Sequence, residues 1–87
     1  MRVRVHPRIS DKRPEILAVD VEAAFRGTLR KVHRTDTDPP QWVGVGLDGR
    51  GRLLEYVAVE TGVDQWLIFH AMPATTKTLN ETGLGRK

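Results

Sequence analysis

The side chains in this sequence best suited to moving a proton near neutral pH are three histidines, His6, His33 and His70. His70 ends an apolar segment, and His6 directly precedes a proline. An imidazole at the end of a strand can act as a general acid or base, or a backbone carbonyl can hold it at the edge of the core. His6 has the further alternative of a helix N-cap. We take His70 and His6 as the catalytic candidates.

The spacing of these histidines argues against a metal centre. They lie 27 and 37 residues apart, with no helical His or Glu partner at ligand spacing, and the chain has no cysteine to supply a thiolate. The glycines at 44, 46, 49 and 51 do not open a helix, so they do not form a phosphate loop. Ser10 lacks a nucleophile elbow. We therefore expect neither a metal nor a cofactor.

Basic residues cluster in two places, over 30–34 and around the glycine-rich turn at 48–51. One interpretation is a solvated edge strand, where Lys and Arg deter strand addition. The other is a groove that holds phosphates. The candidates for phosphate or RNA binding are Arg50, Arg52, Lys31 and Lys77.

Cleavage of RNA is compatible with this inventory. The 2′-OH of RNA is itself the nucleophile, so the protein needs a base, an acid and cations, ideally on one concave face of a sheet. Trp42, Trp66 and Tyr56 could stack on bases, although aromatic residues on short strands more often belong to the core.

The hydrophobic pattern predicts the elements that must position these residues. A short strand over 1–6 precedes a helical segment over 7–26, which Gly27 ends in a left-handed conformation. An antiparallel meander of three to four strands follows over 28–71, with glycines in the second strand that indicate close backbone approach or a bulge. Strict alternation in the last strand places His70 on the same face as Trp66 and Ile68. A helix over 73–81 and a frayed tail over 82–87 complete the chain.

Length and composition indicate one α+β domain over residues 1–87. The chain has 14 Lys and Arg against 11 Asp and Glu, a net charge of +3, and no apolar run of the roughly 20 residues that a membrane span needs. Its first residues are too charged for a signal peptide. We expect a cytoplasmic protein without a membrane partner.

Three pieces of the sequence, within about residues 5–81, match a known pattern: His6–Ile9 with Asp20–Phe25, then Gly46–Leu54, and finally Leu67–Thr75 followed by Lys77 and Glu81. In these pieces the chain resembles the small RelE-like ribonuclease toxins, the BrnT-type branch in particular. Met72 stands where the family has an arginine.

This resemblance implies a RelE-like fold and a type II toxin that cuts RNA. It also implies an antitoxin that covers the basic face, carries a DNA-binding module and mediates any oligomer. The family arginine acts on the scissile phosphate, so here His70 would have to take part in place of Met72.

Two functions therefore stand as hypotheses. The first is a metal-independent endoribonuclease of a toxin–antitoxin pair, with His70 and His6 as acid and base. The second is a non-catalytic protein-interaction domain on the same fold. Met72 favours the second hypothesis, and the two histidines favour the first.

Overall fold

A computed structural model describes residues 1–85 and shows an α+β fold. Strands and helices follow the chain in this order: β1 Arg2–Val5, α1 Arg8–Lys12, α2 Ala18–Arg26, β2 Thr28–Arg34, β3 Gln41–Leu47, β4 Leu53–Gly62, β5 Gln65–Pro73 and α3 Thr76–Thr82. Within these residues, none of the helices has the length and apolarity to cross a membrane.

The strands form one mixed sheet in the order β1-β5-β4-β3-β2. β2 to β5 make the predicted antiparallel meander, with four strands. β1 joins it as a fifth strand, parallel to β5, with Val5 beside Ile68. In the sequence, α1, α2 and the strands β2 to β4 lie between β1 and β5. Local hydrophobic patterns do not predict a pairing between strands so far apart in the chain.

The sequence predicts a helix over 18–26 and strands over 28–34 and 41–47, and these bounds of α2, β2 and β3 are confirmed. β4 and β5, predicted over 52–60 and 65–71, each run two residues further toward the C-terminus. α3 begins later, at Thr76, because the Thr75 hydroxyl caps it by accepting the Thr78 N–H. Gly27 is not left-handed: its φ is −96°, and its N–H donates to the Ala23 carbonyl.

The predicted frayed tail is wrong for residues 82–85. Thr82 is the last residue of α3 and is buried, with its hydroxyl donating to the Thr78 carbonyl. Gly83, at a φ of +82°, supplies the left-handed C-cap, and the Gly85 N–H donates to the Leu79 carbonyl. Residues 86 and 87, the rest of the predicted tail, lie outside the described residues.

The main core lies between α2 and one face of the sheet, called here the α2 face. Its buried members include Val21 and Ala24 of α2, Leu54 and Tyr56 of β4, and Ile68 of β5. Strand alternation puts Glu55 on the opposite face, where α3 packs, and its carboxylate accepts hydrogen bonds from Thr75 at the start of that helix. We call this second side of the sheet the α3 face.

The glycines of β3 serve close approach, as predicted. A Cβ on Gly44 would overlap the Tyr56 ring, and a Cβ on Gly46 would overlap the backbone of Ala24 in α2. β3 itself is regular. The irregularity lies in β2, between Thr28 and Arg30.

Candidate functional site

A cleft of about 410 Å³ opens on the α3 face beside His70. We call it the His70 cleft. Both apolar and titratable side chains contribute to its walls. Its lining residues include Arg8, Arg34, Val57, Glu55, Phe69, His70, Thr75 and Lys77.

His70 reaches this cleft because β5 contains a bulge. Val57 pairs with His70, whereas the next residue of β4, Ala58, pairs with Ile68, so Phe69 is the extra residue. Without the bulge, Ile68 and His70 would share a face. The prediction that they do is wrong: Ile68 is buried in the core against α2, and His70 points to the α3 face beside Val57.

The imidazole of His70 is held by a buried carboxylate. Its Nε2 lies 3.1 Å from Oε2 of Glu55. The other carboxylate oxygen, Oε1, accepts the N–H of Thr75 at 2.9 Å and its hydroxyl at 2.7 Å. The Glu55 side chain is 9% exposed and that of His70 is 40% exposed. A buried carboxylate therefore orients an imidazole that solvent and ligands can reach.

Glu55 is ionised in this setting. Burial favours the neutral acid, but the hydrogen bonds donated by Thr75 and His70 outweigh it, and the pKa of Glu55 lies below its ordinary value. A carboxylate can only accept, so Nε2 of His70 carries a proton, and in the neutral imidazole Nδ1 has the lone pair. Among residues 1–85, no group hydrogen-bonds to Nδ1. The ring can therefore accept a proton from a ligand.

Cationic side chains line the cleft together with His70. Lys77 of α3 and Arg8 of α1 line the same cleft, and neither forms an ion pair within the described chain. The Arg8 guanidinium donates to the Phe69 carbonyl at 3.3 Å and lies 6.0 Å from the Phe69 ring centre. Both cations can attract a phosphate to the imidazole.

Arg34, which also lines the cleft, has a structural partner. It donates two hydrogen bonds to Glu81, at 2.6 and 2.7 Å, and so ties β2 to α3. This pairing raises the pKa of Arg34 and lowers that of Glu81. Arg34 contributes less free charge to the cleft than Lys77 or Arg8.

His6 stands apart from the His70 cleft. It follows β1, its backbone N–H donates to the Ile68 carbonyl, and its Nδ1 accepts the Arg8 N–H at 3.1 Å. That bond satisfies a free amide in the first turn of α1, although the N-cap of this helix is Pro7 and not His6 as predicted. His6 does not line the His70 cleft.

Arg50 and Arg52 join the turn after β3 to the start of α2. Oδ2 of Asp20 accepts from both guanidinium groups, at 2.7 and 3.0 Å, and Arg52 also donates to Asp48 at 2.7 Å. The bond from Arg50 and that from the Leu17 N–H lower the pKa of Asp20. Both arginines are engaged in holding the fold, away from His70.

Lys31 lies on the α2 face. Its ammonium is 5.0 Å from the Trp42 ring centre, and His33 stacks on Trp42 with ring centres 4.0 Å apart. A second set of rings, from Phe25, Tyr56 and Trp66, continues from Trp42 into the core. The predicted site residues are therefore divided between the two faces, and only His70 and Lys77 are brought together.

Glu55, Arg8 and Thr75 are site residues that sequence reasoning missed. Glu55 carried a signal, because it is a carboxylate flanked by Leu54 and Tyr56 in an apolar stretch of β4. Such a group needs partners when it is buried. Nothing in the sequence pointed to Arg8 and Thr75, because only the β5 bulge and the packing of α3 place them beside the His70 cleft.

Comparisons with known proteins do not extend this description. No family model matches the chain, and searches of curated proteins and of solved structures found no match. The resemblance to RelE-like toxins stays a prediction. Within residues 1–85, no three His, Asp or Glu side chains form a group that could hold a metal ion.

Proposed function

We propose that this protein is a toxin-like, metal-independent endoribonuclease that cuts RNA in the His70 cleft. The observation that carries the proposal is the pair formed by His70 and buried Glu55, beside Lys77 and Arg8. A carboxylate that fixes the tautomer of an accessible imidazole is an arrangement suited to general base catalysis. The neighbouring cations suit a substrate that is a phosphodiester.

The reaction would use a hydroxyl of the substrate as its nucleophile. Nδ1 of His70 takes the proton of the 2′-OH, and the 2′-oxygen forms a bond to phosphorus. The bond from phosphorus to the 5′-oxygen breaks, and the Lys77 ammonium supplies that oxygen with a proton. Arg8 and Lys77 stabilise the charge on the phosphorane. The products are a 2′,3′-cyclic phosphate and a 5′-hydroxyl.

The toxin role rests on the resemblance and on charge. An antitoxin would inhibit by covering the His70 cleft, where acidic side chains would meet Lys77 and Arg8. The resemblance to this family assigns chemistry to an arginine at position 72, where this chain has methionine. In the proposal, His70, two residues earlier, carries the chemistry.

The test is cleavage of a labelled single-stranded RNA by the purified protein in the presence of EDTA. We expect a 2′,3′-cyclic phosphate product and no cleavage of the same oligonucleotide with 2′-deoxy sugars. His70→Ala should lower the rate about a hundredfold or more. His33→Ala, a matched change on the α2 face, should leave the rate within about twofold. Equal rates for His70→Ala and the wild type would refute the proposal.

The second candidate is a non-catalytic interaction domain. Met72 favours it, since an uncharged side chain occupies the place of the family's phosphate-binding arginine. The behaviour of the wild-type protein in cleavage and expression assays discriminates between the two functions. If it cuts no RNA and its expression does not arrest growth, the interaction domain becomes the better interpretation.

A further inference from the structure

A second cleft begins where the His70 cleft ends. It has a volume of about 760 Å³ and runs between α1 and the C-terminal half of β5. We call it the α1 groove. Arg8, Phe69 and His70 line both spaces, so the two clefts adjoin at these residues. The remaining lining residues are Ile9, Asp11, Lys12, Arg13, Ala71 and Met72.

The α1 groove carries an excess of positive charge. Its lining includes three cations, Arg8, Lys12 and Arg13, but only one carboxylate, that of Asp11. None of these three cations forms an ion pair within residues 1–85, in contrast to Arg50 and Arg52. Lys12, in the last turn of α1, is exposed. Unpaired cations along a groove are suited to a chain of phosphates.

The wall of the groove also offers an aromatic ring. Phe69 is the extra residue of the β5 bulge, and its half-buried ring lies between the two clefts with Arg8 on one side. An aromatic ring beside cations is the combination that binds single-stranded nucleic acid, whose unpaired bases are free to stack. A duplex offers no unpaired base for the ring.

We propose that the α1 groove binds the stretch of single-stranded RNA next to the bond that His70 attacks. Lys12 and Arg13 contact two successive phosphates, and Phe69 packs against a base. The groove thereby sets the position of the strand over the imidazole. This assignment rests on the proposed function for the identity of the cleaved bond, but the binding itself can be measured without cleavage.

The first test measures binding of a labelled single-stranded 12-mer with 2′-O-methyl sugars, which His70 cannot cut. Its dissociation constant is recorded by fluorescence anisotropy between low and moderate salt. The double variant Lys12→Ala/Arg13→Ala should bind more weakly. Its plot of log affinity against log salt should be shallower by about 1.4, because each phosphate contact on a single strand contributes about 0.7. Lys12→Arg/Arg13→Lys should keep the wild-type slope.

The matched control removes the same charge from the other face of the sheet. Arg26→Ala/Lys31→Ala should leave the slope unchanged, since both residues line a separate cleft on the α2 face, beside Trp42 and Trp66. Phe69→Leu should weaken binding of the single strand about tenfold at constant slope, and should not affect a duplex of the same sequence. Circular dichroism and urea midpoints establish that each variant is folded.

The outcomes separate this inference from the proposed function. An unchanged slope in Lys12→Ala/Arg13→Ala overturns the inference even if the wild type cuts RNA at His70. An equal loss in Arg26→Ala/Lys31→Ala also overturns it, because net charge alone would then explain binding. A shallower slope confined to the groove variant supports it. If that result accompanies a wild type that cuts no RNA, the groove binds a strand and the proposed nuclease function fails.

Discussion

At the scale of single residues, Glu55 determines what the His70 imidazole can do. Two donors of Thr75 need an oxygen on one side of the Glu55 side chain, and Nε2 of His70 faces the other oxygen. In Glu55→Gln, the amide oxygen must therefore stay with Thr75, and the NH2 group faces His70. Nε2 then becomes the acceptor, and the proton moves to Nδ1.

We therefore expect Glu55→Gln to cut RNA about a hundredfold more slowly than the wild type while keeping its fold. Single-turnover cleavage measures the rate, and nitrogen chemical shifts of His70 report the exchange of tautomers. Glu60→Gln, an exposed change on the same strand, should match the wild type in both measurements. A wild-type rate in Glu55→Gln would remove the carboxylate from the mechanism.

The sequence identified some of these residues and misassigned others. His70 and Lys77 could be found because their types and positions at element ends suggest chemistry. Arg50 and Arg52 look equally available in the sequence, but their partner Asp20 lies about 30 residues earlier and meets them only in the folded chain. Residue type shows what a side chain could bind, and the fold decides what it does bind.

At the scale of elements, the packing of α2 on β3 depends on glycine. The backbone of Ala24 occupies the space where a Cβ of Gly46 would lie, and the Tyr56 ring occupies that of Gly44. The Tyr56 ring can shift by side-chain rotation at the cost of its hydrogen bond to Thr28, whereas two packed backbones cannot separate without losing the core between them. The two positions should therefore differ in their tolerance of alanine.

We expect Gly46→Ala to lower the free energy of unfolding by about 3 kcal/mol and Gly44→Ala by about 1–2 kcal/mol. Gly49→Ala is the control, because nothing lies within 4 Å of its added Cβ, and it should stay within about 0.5 kcal/mol of the wild type. Urea unfolding at constant m-value measures all three. The interpretation is wrong if Gly46→Ala is as stable as Gly49→Ala.

The link between α2 and the turn after β3 depends on a buried carboxylate. Asp20→Asn keeps the size of the side chain and removes the charge that Arg50 and Arg52 share. Both arginines are partly solvated, which limits the cost to about 1–2 kcal/mol of unfolding free energy. Glu22→Gln, which breaks an exposed pair with Arg26, should cost less than about 0.5 kcal/mol.

The pH dependence of this difference follows from the lowered pKa of Asp20. The carboxylate stabilises the fold above its ordinary pKa of 3.8, and that contribution is lost as pH falls through the lower value of the folded state. The stability difference between wild type and Asp20→Asn should be constant from pH 5 to 7. It should shrink below pH 4. A difference that grows on acidification would contradict the assigned partners.

Regular elements were predictable and their irregularities were not. Apolar spacing and glycine or proline breaks are local, so they locate α2, β2 and β3. The β5 bulge at Phe69 is set by pairing with β4, and nothing near His70 in the sequence indicates it. One inserted residue moves the imidazole from the α2 face to the α3 face, and so decides which cations surround it.

At the scale of the whole molecule, the sheet separates two functions of its charged residues. On the α2 face and its adjoining turn, Arg50 and Arg52 hold the fold together and Lys31 packs on Trp42. On the α3 face, Arg34 pairs with Glu81, whereas Lys77 and Arg8 line the His70 cleft and form no ion pair within the described chain. The net charge of +3 does not show this difference, because Arg50 and Arg52, which are held in ion pairs, count the same as Lys77 and Arg8, which are not.

The buried and paired carboxylates predict how the stability of the whole molecule depends on pH. Asp20, Asp48, Glu55 and Glu81 all have pKa values lowered in the folded state; for Asp48 and Glu55, hydrogen bonds outweigh an opposing effect of burial. Each therefore stabilises the fold above its unfolded pKa, and the contribution disappears as pH falls through the folded value. The urea midpoint should be steady from pH 7 to 5 and fall steeply from pH 4 to 3, with a constant m-value. A flat or rising midpoint in that range would show that these carboxylates do not hold the elements together.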